Sequence, residues 1–599
     1  MASFLMLHTL SNTVYAELID TRSLEKQAIE KGIAQTALWH TLLHLKNAQP
    51  INPTSVYLST PFDPETELVN TIRLSQTDPE QACAYPARKR FIEDQLSLKP
   101  GSLSSVVCTD YEEFLSFVPN DEYVLVYASE NVNSASSMMG HIMLRLDGTN
   151  NNGTFVQHGI TYFTELDSLN AAKILYDSLV TGKEGIFQVA PYAPVQAHYR
   201  NKEQRNIWEY TLTLSDKERA LIRDAIWELG QHTPSYFFHE YNCATVTQLL
   251  LSIARPESLN NMASWLTPID IVKFSNHANL VSHTRVVPSE RWKTNALIEQ
   301  LPSARVTSLA EVLQNGQVDS IALFNNATGF TEFELLKSIN NLWYSQSKLS
   351  QQQHNANQAA LAQFNDKFAG YQLDVSEYKS PLDAQDESLI SIGMGQIEGS
   401  DAILFRYFPV ASDITDNQGH IFGENQLLLA DTQIRVDLNR SKIHLDNLSL
   451  YRMKSRVPFS TVTGGFSSGL HVGLTRFFDS NLNSTLVANV EGSFGLSHEP
   501  TSDIGVFVEM AVGAVANFKR SEVYLEPRLG AHLYAVYNTK INASIGWAVN
   551  KLAHSPIASY RLTSRTTTSK SGAIVFDVNT QQTNDSTLTN VSLLYHHRF

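Results

Sequence analysis

From residue 386 to the end, the chain alternates apolar and polar residues with a period of two. Ile504, Val506, Val508, Met510, Val512 and Ala514 form one such set. Val523, Leu525, Leu529, Ala531, Leu533, Ala535 and Tyr537 form a second, and Ile541, Ala543, Ile545, Trp547 and Val549 a third. Successive residues of a strand point to opposite faces, so each stretch presents one apolar face. Strands of ten or more residues with this pattern, separated by polar turns, predict an antiparallel transmembrane β-barrel whose outer wall meets lipid. Counting the segments gives about 12 strands over 386–599. A soluble lipocalin-like or sandwich domain is the competing reading; the length of the strands speaks against it.

The last strand places Val591, Leu593, Tyr595, His597 and Phe599 on one face and ends on an aromatic residue. This is similar to the terminal signature of bacterial outer-membrane barrels. No run of 18 apolar residues occurs, so a helical membrane span is not expected. Residues 1–16 read as a signal peptide: a short apolar stretch from Ala2 to Leu10, then Val14-Tyr15-Ala16 before Glu17. Its basic n-region is missing, as in a truncated signal. Together these features place the chain in the outer membrane with its N-terminal domains in the periplasm. The 45 basic and 60 acidic residues give a net charge of −15, which argues against nucleic acid as a partner. Oligomeric state is not legible.

Upstream of the barrel, 17–112 read as a helical domain. One amphipathic helix is expected over 21–48, carried by Leu24, Ala28, Ile29, Ile33, Ala37, Leu38, Leu42 and Leu45. More helix is expected over 60–98. The segment 113–255 mixes strands and helices: EYVLVYA (122–128), HIMLRLDG after a small-residue turn, and TFVQHGITYF after a polar turn. A helix opens at Ser215 with Glu218 three residues on, a capping-box pattern. Another starts near Asn242 or Cys243. Residues 256–385 read as a helical connector.

Three cysteines are too few for a disulfide scaffold or a cysteine-rich zinc site. Cys83 and Cys108 flank a turn and are expected to pair in an oxidising compartment, closing a loop worth about 3 kcal/mol. Cys243 is then left single. It sits at a helix N-terminus, where the dipole favours a thiolate and first-turn N–H groups can hold an oxyanion. Asn242 and Ala244 are the candidates for orienting the thiol and binding that oxyanion. A buried structural cysteine is the competing reading. His141 opens a strand beside a small-residue turn and is the candidate base. His158, one strand on, is the candidate for fixing the tautomer of His141. His239 and Glu240 lie beside Cys243 and can equally well cap the helix. No phosphate-cradling glycine loop and no HExxH motif occurs, so no cofactor or metal is expected.

The segments NSASSMMGHIMLRLDG and EYNCATVTQLLL resemble the Lnb N-terminal periplasmic domain family. CAYPARKRF and RNIWEYTLTLS resemble segments of its Gram-negative multi-domain members. The resemblance implies a permuted papain-like, NlpC-like α+β thiol domain with histidine before cysteine. It implies Cys243 as nucleophile, His141 as base and His158 in the third role. The Asn242-Cys243 pair is also similar to that of lecithin–retinol acyltransferase-like enzymes. The implied function is a cysteine-dependent acyltransferase or acyl hydrolase acting on lipid or lipoprotein acyl groups at the periplasmic face of the outer membrane. Characterised Lnb-type acylation is associated with a membrane anchor on Gram-positive cells, whereas this chain carries a barrel, so the substrate can differ. Two other readings stand beside it: an NlpC-like peptidoglycan peptidase or amidase, and a non-enzymatic barrel with a periplasmic binding domain.

Overall fold

A computed structural model describes residues 21–51, 57–104, 106–129, 139–165, 173, 176–232, 234–238, 240–375, 378–518, 521–550 and 556–599. The expected signal peptide and His239 lie outside the described residues.

The N-terminal region is helical, but the helix expected over 21–48 is broken. It forms Thr21–Glu30, a 3-10 turn at Ile33–Gln35, and Ala37–Leu42. The break falls at Gly32, whose φ of +63° ends the first helix. Periodicity alone does not register such a glycine, because the apolar spacing continues through it. Helices Pro64–Thr77 and Pro86–Gln95 follow, each with proline in its first turn. Cys83 and Cys108 are disulfide-bonded, with Cα atoms 5.6 Å apart.

These helices share one apolar core with the next unit: Trp39, Leu68 and Phe91 belong to the same cluster as Tyr123, Leu144 and Leu249. A buried ion network crosses the same boundary. The Arg88 guanidinium, fully buried, lies 3.3 Å from Glu67 and 3.3 Å from Glu228, and the Arg88 backbone N–H donates to Glu228.

The second unit is a six-stranded antiparallel sheet. Its order is Val281–Val287, Ile207–Leu212, Glu122–Ala128, His141–Thr149, Phe155–Phe163, Ile186–Pro191. The edge strand Val281–Val287 lies in the segment that reads as helical connector; seven residues with four polar side chains carry too little alternation to announce a strand. Helices Asp216–Gly230 and Cys243–Ser252 cover the sheet. Further helices, among them Ser303–Gln314, Ala327–Ser345 and Gln351–Ala362, build a separate core.

The barrel is a closed ring of 12 antiparallel strands from Leu389–Ile397 to Thr587–Arg598. Closure is made by Leu389–Ile397 pairing with Thr587–Arg598, and by Ser400–Phe408 pairing with Glu424–Asp437. Every strand thus has two partners, which removes the edge that a bilayer could not satisfy. Outward positions are apolar and exposed: Ile390, Ile392, Met394, Val508 and Leu593. Inward positions are charged and paired across the lumen, as in Lys454–Glu509 (2.9 Å), Arg456–Glu509 (2.6 Å) and Arg528–Glu491 (2.7 Å). Among the described residues the helical units meet the barrel at one end. Trp343 Nε1 donates to Val462 O (2.7 Å), and the Trp292 ring lies 5.9 Å from Phe422. At the opposite mouth the strands are joined by the short turns 398–399, 438–441, 479–483 and 583–586.

Removing one partner of a buried ion network leaves uncompensated charge, at about 3–5 kcal/mol. Arg88→Met is therefore expected to lower the unfolding free energy of the N-terminal units, read from denaturant melts, by that amount while the barrel stays folded. A change below about 1 kcal/mol would show that Glu67 and Glu228 are satisfied without it.

Candidate active site

The turn before His141 ends at Gly140, with φ +84°. A Cβ there would lie 2.7 Å from the Tyr127 ring, so only glycine lets the chain pass that close and enter the strand at His141. Asn242 caps the opposing helix. Its Oδ1 accepts from the amides of Ala244 (2.8 Å) and Thr245 (3.1 Å). Its Nδ2 donates to Phe238 O (3.0 Å) and Leu266 O (2.9 Å). All four contacts are internal, so Asn242 acts as an orienting residue that fixes the first turn. The Ala244 amide is already engaged by that cap.

Cys243 is the first residue of the helix and the free cysteine among the described residues; it is buried. The helix packs on the strand His141–Thr149. The backbone N–H of Ile142, next to His141, acts on the Cys243 sulfur, as do the amides of Ala244 and Cys243 itself. Burial nonetheless dominates and raises the thiol pKa; these amides, and Arg205 by its charge, oppose it. The helix N-terminus therefore moderates the cost of a thiolate without making it the resting form, because desolvation outweighs dipole stabilisation at a dry site.

Burial likewise pushes His141 down to about 3, helped by Arg205 and opposed by Glu203. The ring is neutral at physiological pH. Its Nε2 is 2.8 Å from Thr161 Oγ1, which leaves Nδ1 for a thiol proton. Among the described residues no hydrogen bond joins His141 to Cys243. Tyr199 stands beside both: its ring is 6.2 Å from the His141 ring, and it is coupled electrostatically to Cys243. Arg205 stacks on Tyr199 at 4.7 Å and is held by the carbonyl of Ala128 (2.7 Å) and by Glu203 (3.0 Å). Tyr236 is a further neighbour of the thiol.

His158 does not join this group. It pairs with Leu146, and Leu144 pairs with Ile160. By that register His141 shares its sheet face with the odd-numbered residues of the next strand, Thr161 among them. His158 points to the other face, five residues further along, where its ring lies 6.0 Å from Phe117. The period of two decides this. Thr161 holds the position expected of His158. The parity rule and the hairpin turn at 150–154 were the signal for it. Tyr199 and Arg205 arrive from a distant segment and carry no local signal. A cavity of about 450 Å³ between this unit and the barrel mouth is lined by Tyr127, Ser129 and Gln204, but not by Cys243 or His141.

Residues 110–277 match the Lnb N-terminal periplasmic domain family. Residues 378–598 match a family described as a domain of unknown function, DUF7840. No curated protein matches the chain significantly. Among solved structures, a loop-deletion mutant of OmpT, an outer membrane protein of Vibrio cholerae, is 6% identical with a TM-score of 0.19, covering 35% of this chain and 97% of its own. An anion-selective porin from Comamonas acidovorans is 8% identical with a TM-score of 0.18, covering 35% and 98%. The outer membrane channel DcaP of Acinetobacter baumannii is 7% identical with a TM-score of 0.19, covering 36% and 96%. Scores this low carry no weight beside the closed strand pairing and the outward apolar wall. The chain thus joins an Lnb N-terminal periplasmic domain to a 12-strand barrel of outer-membrane type, with the barrel in the outer membrane and the N-terminal units in the periplasm.

Proposed function

We propose that the periplasmic unit is a cysteine-dependent acyltransferase or acyl hydrolase acting on lipid or lipoprotein acyl groups. The observation that carries this reading is the packing of a free, buried Cys243, at a capped helix N-terminus, against the strand opened by His141. Cys243 attacks the ester carbonyl while His141 takes the thiol proton through Nδ1. The Nε2–H of His141 donates to Thr161 Oγ1, which fixes the tautomer whose Nδ1 is free to accept. The amides of Ile142 and Cys243 beside the sulfur are the donors offered to a tetrahedral oxyanion, the Ala244 amide being engaged by Asn242. His141 then returns the proton to the leaving alkoxide. An amine or water resolves the thioester, giving transfer or hydrolysis. A neutral thiol beside a neutral imidazole suits a base that acts when substrate arrives, in contrast to a preformed ion pair.

Two outcomes are expected. In the resting protein the pH midpoint of Cys243 alkylation by iodoacetamide lies above the roughly 8.5 of a free thiol. Because His141 is already neutral there, His141→Ala leaves that midpoint within about half a unit. A wild-type midpoint several units lower, rising in the variant, would replace the neutral pair by an ion pair.

For activity, Cys243→Ser and His141→Ala are each expected to reduce acyl transfer by about 10²-fold or more, and Thr161→Val by less. Mass spectrometry of lipid and lipoprotein acylation in cells bearing each variant reads this. Unchanged acylation in the Cys243 variant, or trimming of purified muropeptides by wild type, would overturn the reading.

A further inference from the structure

The periplasmic unit does not only sit on the mouth of the barrel; it also touches the outside of its wall. On strand Lys442–Arg456, Lys454 and Arg456 reach Glu509 across the lumen. Tyr451 and Met453 therefore face outward. Their cross-strand partners are Leu429 and Leu427, so these four side chains form one patch on the lipid-facing side. Elsewhere that side is bare: Met394 is 70% exposed and Val508 57%. Leu427 and Leu429 are only 8% and 7% exposed, because Met139 and Phe238 pack over them.

Those two covering residues flank the candidate site. Met139 precedes His141 by one glycine. Phe238 stands in the turn before Cys243, its carbonyl bonded to Asn242 Nδ2. Leu427 and Leu429 lie near the strand start at Glu424, roughly 10–17 Å into the wall at about 3.3 Å per residue. The patch therefore lies toward the periplasmic end of the wall, the side on which the inner leaflet surrounds the barrel. Between the periplasmic unit and the barrel mouth the 450 Å³ cavity collects Lys202, Arg291 and Lys379 against the carboxylate of Glu203, while burial keeps His420 neutral. Arg291 is partly buried, and its Nε has no hydrogen-bond partner. The lumen, by contrast, is crossed by ion pairs and offers an acyl chain no apolar path.

We propose that the acyl donor reaches Cys243 laterally from the inner leaflet, along the outward patch Leu427–Leu429–Tyr451–Met453, and that the donor is a glycerophospholipid whose phosphate the cationic cavity favours. The inference rests on the Cys–His reading above. In the step, the Cys243 Sγ–acyl bond forms as the acyl–oxygen ester bond breaks. The thiol proton passes through His141 to the glycerol oxygen, and a lysophospholipid leaves.

The test uses the full chain in vesicles of phosphatidylglycerol with deuterated acyl chains. Parallel arms use a diacylated lipopeptide and a short-chain p-nitrophenyl ester, both in detergent. Mass spectrometry reads the peptide containing Cys243. The expected result is a deuterated acyl adduct from the vesicles. Leu429→Asp is expected to slow that labelling at least tenfold while labelling by the soluble ester is kept. An adduct from the lipopeptide but not the vesicles would overturn the choice of donor. An adduct from the soluble ester alone, or vesicle labelling unaltered in the Leu429 variant, would overturn the lateral route and leave the Cys–His reading standing. No adduct from any donor would overturn both. Should the Leu429 variant also lose soluble-ester labelling, Tyr451→Asp repeats the comparison at the neighbouring patch residue, and vesicle labelling unaltered there overturns the lateral route.

Discussion

The side chain of Asn242 holds the candidate site together. It closes the first turn of the cysteine helix with one end and ties that turn to Phe238 and Leu266 with the other. Without it the first amides would be orphaned in a buried setting, and the sulfur would have no fixed position relative to the strand. The approach of the Ile142 amide and of the tyrosines to the thiol depends on that placement. The same bond to Phe238 fixes the turn that rests on the barrel wall, so one cap orders both the candidate site and its contact with the barrel.

Much of the architecture is legible in the sequence because it is written in short periods. Strand alternation gives the barrel, and the polar lumen follows from the other half of the same alternation. The capping pattern at Ser215 and Glu218 appears in the structure as a reciprocal cap. Where reading stops at composition, it goes astray in physically simple ways. A run of helical spacing passes through Gly32 without registering the turn. The choice between His158 and Thr161 needs the hairpin register, since a shift by one residue exchanges the two faces of the sheet. The roles of Tyr199 and Arg205 are set by tertiary packing, which spacing does not encode.

The electrostatics of the site also follow from a competition that sequence cannot weigh. A helix N-terminus argues for a thiolate, and burial argues for a thiol. Here the dry surroundings of Cys243 prevail over its amides, and they hold His141 neutral as well. A thiol held protonated by burial offers little thiolate to stray oxidants, and the chain's other two cysteines are already joined to each other.

The short turns at the mouth remote from the helical units have a consequence beyond the bilayer. Long loops are where barrels usually present themselves to the outside world. Here the chain's longer connections, such as 409–423 and 457–466, lie on the periplasmic side with the folded domains. Among the described residues the outward mouth is a rim of short turns, and the folded surface that the chain offers to other molecules lies on the periplasmic side.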